Sequence, residues 1–309
     1  MTAMNLRQFS YFVRVVELRN MTRAAENLHV AQPALSQQMA LLENEVGVRL
    51  LVRGPRGVEP TAEGQLLYHL AQTILRQVDS IYSILWRKAD LVSGAVSVAM
   101  ASSTAHMLAL PLIRAVRQRY PAIELEIVDI PSADLTLTLQ QGRTDISLSP
   151  DQENVPSLTV TPLVVEELLV LTHPSVKFPK DRLSITDLAE VPLILPRQPN
   201  KLRMRIDYAF MNARLQYQLL AQASTSAILL PAISEGLGAT ILPYSAAYKD
   251  IHAKAITLYR LASPLFREIS LCTSRNAPER TAVTAVTNLI RSLTQTLVAD
   301  GTWQYCELV

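Results

Sequence analysis

The chain is poor in the groups that carry covalent, metal or membrane chemistry. Of its 309 residues only two are cysteine, Cys272 and Cys306, and five are histidine. Two isolated thiols are too few for a disulfide framework or a thiolate metal cluster, so a reducing compartment is expected. His29, His69, His106, His173 and His252 lack metal-ligand spacing, and neither a G-x-S-x-G nucleophile elbow nor a P-loop occurs. Gly236-Leu237-Gly238 precedes an apolar stretch instead of following one, so it is a turn into Ala239 to Leu242 and not a dinucleotide loop. His106 lies beside a run of hydroxyls but has no carboxylate partner in the local sequence, and it is assigned a pocket or surface role. No enzymatic activity, catalytic residue, metal or cofactor is expected.

Long apolar runs are also missing. None approaches the ~18 residues of a membrane-crossing helix, and no basic segment followed by an apolar one opens the chain. A cytoplasmic protein without membrane contact is the expectation. Neither sign of charge dominates: 29 Lys plus Arg stand against 27 Asp plus Glu, so bulk charge says almost nothing about partners. Residues 1–60 hold seven arginines and no lysine against five acidic residues. Recognition of an anion by this segment therefore depends on a few aimed guanidinium contacts. The length exceeds what one core usually fills, which predicts two or three domains.

What is present begins with a helix. Phe9, Phe12, Val13 and Val16 recur at the spacing that puts apolar side chains along one helical face. Asn20 is placed as an N-cap, and Ala24, Ala25 and Leu28 form the buried stripe of a second helix. Pro33 suits the first turn of a third, where its missing N–H has no partner to lose. Leu35, Met39, Leu42 and Val46 are the buried face of that helix, which leaves Gln32, Ala34, Ser36 and Gln37 on the other side. Amide and small side chains at a helix start suit a DNA major groove, where glutamine pairs with adenine edges and alanine touches a thymine methyl. Leu50 to Thr61 then predicts a hairpin with a cationic tip, a wing from which Arg53 and Arg56 are placed to reach phosphates or a narrow minor groove.

Residues 4 to 64 resemble the winged helix-turn-helix domain of the LysR-type transcriptional regulators. The resemblance rests on Ala24-Ala25, Leu28, Gln32-Pro33-Ala34-Leu35-Ser36, Leu42-Glu43, Gly47, Leu50, Arg53, Gly57, Thr61 and Gly64. Asn20 stands where serine is usual, Leu51 where phenylalanine is usual, and Pro55 is an addition to the wing. The resemblance implies a double-stranded DNA interface made by Asn20, Thr22, Arg23, Gln32, Pro33, Ala34, Ser36, Gln37, Arg53 and Arg56.

From Thr61 to about Lys88 there is no proline and one glycine, and Leu67, Ala71, Ile74, Val78, Ile81 and Leu85 alternate spacings of four and three. This seam predicts a long helix that either pairs with a second copy or packs on its own domain. The resemblance implies a dimerising linker helix, a homodimer that pairs further into a homotetramer, and RNA polymerase as a candidate partner. Two-fold pairing predicts an operator that is an approximate inverted repeat.

Ser93-Gly94 opens the larger half. Its strands and helices alternate from Ala95 onward, predicting parallel sheets covered on both faces and two similar lobes with crossovers near Thr161 to Leu163 and Ser263 to Phe266. Ser102, Ser103 and Thr104 are predicted to form a loop before a helix over Met107 to Arg119. This half resembles the LysR effector-binding domain, itself similar to type 2 periplasmic binding proteins. The expected fold is thus α/β: a winged helix-turn-helix at 1–61, a linker helix at 62–92, and a two-lobed α/β effector-binding domain at 93–309. Lobe I is expected at about 95–162 and 266–309, lobe II at about 163–265.

Ligands of such sheets sit beyond the strand ends, where helix N-termini offer free N–H groups. Ser102, Ser103, Thr104, Ser132, Arg197, Arg203 and Thr225 are the candidate effector residues, with Lys201, Ser224 and Ser226 in the same loops. Each serine alone is also an ordinary helix cap, and the arginines stand open between ligand contact and solvated surface. Together they predict a small anionic metabolite such as a carboxylate. Leu193 to Arg203, reading LILPRQPNKLR, and ILRQ at Ile74 to Gln77 resemble the nitrogen-assimilation subgroup, which leaves an effector-independent regulator as the alternative. The expected mechanism is a population shift in which ligand alters lobe or subunit orientation and thereby the spacing of the recognition helices.

Overall fold

A computed structural model describes residues 4–54, 57–85 and 92–309, apart from the side chains at 76, 79–80 and 82–85. The chain divides into two compact units, Met1–Ala89 and Asp90–Val309.

The first unit starts with α1 (Leu6–Leu18), α2 (Met21–Asn27) and α3 (Gln32–Val46). Its caps are local. Asn5 and Gln8 form a reciprocal capping box at α1, which the sequence reading missed, and Asn20 accepts from the Arg23 N–H at 3.0 Å to start α2. Pro33 lies in the first turn of α3, and Gly47 ends that helix in the left-handed region at φ 75°. Phe12, Val15, Ala24, Ala25, Leu35, Met39 and Leu42 close over one another as the core. The wing follows as β1 (Leu51–Gly54) paired antiparallel with β2 (Gly57–Pro60). Thr61 accepts from the Gly64 N–H at 2.9 Å and so caps α4 (Ala62–Leu85).

The apolar seam of α4 is only partly available to a second copy. Ala71 is fully buried, and Leu67 and Ile74 pack onto the core of their own unit, while Ile81 is exposed; the side chain of Leu85 and the predicted helix beyond it lie outside the described residues. A four-three spacing marks an apolar face and does not say what covers it. A neighbouring face of the same helix leaves Leu66 and Leu70 exposed with Ile81.

The second unit runs β3 (Gly94–Met100), α5 (Ser102–Arg119), β4 (Ile123–Asp129), α6 (Leu135–Gln140), β5 (Ile146–Pro150), β6 (Leu158–Thr172) and β7 (Arg182–Leu183). It continues with β8 (Pro192–Pro196), α7 (Lys201–Asn212), β9 (Gln218–Ala223), α8 (Ser226–Ser234), β10 (Thr240–Pro243), α9 (Tyr244–His252), β11 (Thr257–Leu261), β12 (Leu265–Ser274), α10 (Thr281–Ala299) and β13 (Cys306–Leu308).

Strand order β4-β3-β5 is parallel, and so is the separate pair β8-β9. β7 and β11 also pair in parallel, but the middle of the sheet corrects the expectation of parallel sheets: β12 runs antiparallel to both β5 and β6, and β10, β11 and β13 each pair antiparallel with β6. The predicted crossovers are the cause. Thr161 to Leu163 lies inside the 15-residue strand β6, and Leu265 and Phe266 begin β12, so the crossovers are themselves paired strands. Each backbone finds its hydrogen bonds in the other, with a register shift at Ile269/Ser270. Residues 163–172 of β6 are almost continuously buried, as a strand covered on both faces must be.

Candidate nucleic-acid interface and ligand cleft

At the start of α3, Gln32, Pro33, Ala34 and Gln37 are exposed and Ser36 is half-buried; Gln32 Nε2 donates to Ser36 Oγ at 3.0 Å. These side chains face away from Leu35, Met39 and Leu42, as the periodicity requires. Thr22 and Arg23 are exposed on the first turn of α2, while Asn20 is held half-buried by its capping role. Arg53 is exposed on β1; Arg56 lies outside the described residues. The wing is fastened at its root. Glu43 Oε1 accepts from the Leu50 and Leu51 N–H groups at 2.8 and 3.0 Å, and the Val58 N–H donates to Arg19 O at 2.9 Å. Gly57 and Gly64 are required there: a Cβ on Gly57 would meet Arg19 O at 2.3 Å, and one on Gly64 would meet Leu50 O at 1.9 Å.

In the second unit a cleft of about 320 Å³ gathers residues far apart in sequence, a size suited to a small metabolite. Ser102 and Ser103 are not in a loop but in the first turn of α5, which begins at Ser102 and not at Met107. Ser132 enters from the segment before α6, Thr225 and Ser226 from the start of α8, and Asn200 from the start of α7. Neither α5, with Ala101 as its cap, nor α8, with Thr225, has a side-chain cap bond, so the first N–H groups of both helices are left for another acceptor. Ser226 Oγ is buried with no partner among the described residues. Other groups are already engaged: Ser102 Oγ donates to Asp129 at 2.7 Å, and Asn200 Nδ2 donates to Ser132 Oγ at 3.1 Å while its Oδ1 caps α7.

Three predicted effector residues fall elsewhere. Thr104 is fully buried, its hydroxyl without a partner among the described residues. Arg197 is exposed beside the carbonyl of Gln198 and does not line the cleft. Arg203 is buried for a structural reason: its Nε donates to Asp207 at 2.8 Å, its Nη1 to Pro196 O at 3.1 Å, and its guanidinium lies over the Tyr217 ring. Burial raises the Asp207 pKa, but hydrogen bonds from Tyr217, Arg203 and Gln198 outweigh it and hold the carboxyl below its ordinary range. The guanidinium that does line the cleft is Arg267 of β12, which the sequence reading passed over. Its signal was available, since alternation in β12 places Arg267 on the same face as Leu265 and the buried Ile269.

The two units match known families separately. Residues 6–65 match the bacterial regulatory helix-turn-helix proteins of the lysR family, and residues 89–295 match the LysR substrate binding domain. The chain belongs to the LysR family of transcriptional regulators. As a LysR-type regulator it is a DNA-binding protein, and α2 and α3 lie within its helix-turn-helix match. It is 34% identical over 99% of both chains to the nitrogen assimilation regulatory protein nac of Klebsiella aerogenes, and 32% identical over 96% of both to that of Escherichia coli K12. This regulator therefore sits with the nitrogen-assimilation subgroup to which its 193–203 segment pointed. A solved structure of full-length CbnR complexed with its target DNA superposes with a TM-score of 0.69 at 24% identity, covering 94% of this chain and 100% of that one, and shows a shared fold.

Burial pushes the Cys272 thiol up to about 11, and burial followed by Glu166 and Glu307 pushes Cys306 up to about 12. His106 Nδ1 sits 2.9 Å from the carbonyl oxygen of Ala246 on α9. No described helix is long and apolar enough to cross a membrane.

Proposed function

We propose that this LysR-type regulator binds a dyad-symmetric promoter site as a homodimer, and as a homotetramer of two such dimers, and that a small anionic metabolite in the cleft tunes it. Its target being promoter DNA, it works in the cytoplasm, where RNA polymerase is a further partner. The observation that carries the ligand class is the pair of uncapped helix starts, α5 and α8, meeting at one cleft beside the unpartnered Ser226 hydroxyl. Two sets of orphan N–H groups with their partial positive charge favour an oxyanion there. The effector residues retained are Ser102, Ser103, Ser132 and Thr225, joined by Ser226, Asn200 and Arg267. The protein's own scaffold supplies the rest, and no cofactor is invoked.

The test is thermal unfolding of the full-length chain against a panel of small carboxylates at constant ionic strength. A ligand at a hundred times its dissociation constant adds about 2.7 kcal/mol of stability. It should also alter the footprint or bend on operator DNA. No stabilisation by any of the panel overturns the anionic reading, and a ligand that binds with an unchanged footprint overturns the coupling.

A second reading, a regulator that acts without ligand, is favoured by bonds that already span the cleft mouth. Asn200 reaches Ser132, Lys201 Nζ reaches Asp151 O at 2.8 Å and Glu153 at 2.7 Å, and Arg205 pairs with Asp151 at 2.8 Å. Full operator occupancy and regulation by purified protein alone would select it.

A further inference from the structure

Behind the cleft wall lies a group of buried charges. Arg267 of β12 and Glu166 of β6 are direct neighbours across the two strands and pair at 2.7 Å, their side chains 5% and 1% exposed. A pair this dry persists only where its remaining polar atoms are also met. Glu166 Oε2 accepts from Arg267 Nε at 2.8 Å, and Glu166 Oε1 accepts from the indole N–H of Trp303 at 2.9 Å. Arg267 Nη2 donates to Ser103 Oγ at 3.0 Å, in the first turn of α5. Nη1 donates to none of the described residues, and Arg267 forms part of the cleft lining together with Ser103.

We propose that Arg267 is the residue that selects a carboxylate ligand in the cleft, with Glu166 and Trp303 as positioning residues that hold it and register its engagement. The inference rests on the anionic-ligand reading of the cleft. A guanidinium held by Glu166, by Ser103 and, at 3.5 Å, by Ser245 Oγ has lost its rotamer freedom before any ligand arrives, so the two N–H groups of Nη1 are aimed and not merely nearby. Because Glu166 balances the charge, the wall offers a directed donor in place of a free cation, and it selects by the geometry of a carboxylate more than by its charge. A carboxylate that engages Arg267 also draws on the Glu166 bond, and Trp303 shares that carboxylate. Trp303 in turn lies in the segment between α10 and β13, where its own N–H holds Leu297 O at 2.7 Å and the neighbouring Tyr305 O holds the Glu167 N–H at 2.8 Å.

The experiment uses the full-length chain carrying Trp86→Phe, which leaves Trp303 as its one tryptophan. Acetate, benzoate, succinate and citrate are titrated at constant ionic strength, followed by thermal unfolding and by Trp303 emission. A carboxylate that raises the unfolding temperature should shift the emission with the same midpoint. Arg267→Lys, which keeps the charge and loses the planar fork, should weaken that carboxylate ~10-fold or more. Glu166→Gln, which leaves the guanidinium charge unbalanced, should tighten it by about the same factor. Circular dichroism reports whether each variant folds; where Arg267→Lys does not, the emission titration on the parent decides alone.

A carboxylate bound with unchanged affinity by Arg267→Lys, or bound while Trp303 emission stays still, overturns the role of Arg267. The cleft reading survives that result if Ser226→Ala weakens the same carboxylate. Absence of binding by every carboxylate overturns both.

Discussion

Gln32 presents its amide at the first turn of α3 with Ser36 Oγ in reach, and such a pair has the donors and acceptors that a base edge requires. Replacing Gln32 by alanine should reduce discrimination among operator variants by about 1–3 kcal/mol at one base position while leaving binding to scrambled DNA unchanged. Arg53→Ala, by contrast, should weaken all sequences alike and lower the slope of log affinity against log salt by about one. Competition binding on base-substituted duplexes at several salt concentrations separates the two. Unaltered site preference in Gln32→Ala would remove glutamine from base reading. These side chains were legible in the sequence because a single amphipathic helix decides which of its residues face out. Arg203 was misjudged at the same scale: a guanidinium in a cationic loop turned instead toward Asp207, one turn along its own helix, and Tyr217, which packing brings beside it.

Elements depend on contacts that a sequence shows only as residue types. Gly64 reads as a helix glycine with no obvious need, yet α4 starts so close to β1 that a methyl there would press on the Leu50 carbonyl. Gly64→Ala should shift α4 off the wing root and destabilise the first unit by about 1–3 kcal/mol, the range of overpacked sites; denaturant melts of the full chain followed by a first-unit probe would show it. A loss no larger than about 0.5 kcal/mol, typical of surface changes, would mean that the backbone yields freely. Helices α2, capped by Asn20, and α3, begun at Pro33 and ended at Gly47, were legible because such signals and periodicity act within a turn or two. The start of α5 was not, since Ser102, Ser103 and Thr104 are weak helix formers placed in a helix by the strand they follow. The length of β6 escaped for a related reason. Pro162 and the pair Glu166-Glu167 break the look of an apolar strand, and it takes Arg267 of β12 opposite Glu166, together with the Trp303 indole, to make the buried carboxylate tolerable.

For the whole molecule one apolar surface that matters to assembly is the row Leu66, Leu70 and Ile81 on α4, all about half exposed. These residues fall on one face of the helix and are the ones left over after Leu67, Ala71 and Ile74 have packed at home. Leu70→Glu should therefore lower the oligomeric state by sedimentation without unfolding the first unit, and should shorten the operator footprint toward one half-site. An unchanged sedimentation coefficient and footprint would place the dimer contact on another surface.

The chain's own order of residues determined the helix-turn-helix, the wing and the membership in a family of regulators, because each rests on neighbours within a few turns and a local unit folds much the same wherever it is placed. Tertiary structure alone decided which polar residues share the cleft. Ser103 and Arg267 are separated by 164 positions, and no periodicity carries across such a distance. They meet because two long strands, β6 and β12, find their hydrogen bonds in each other and carry a buried charge pair to the wall behind the serine.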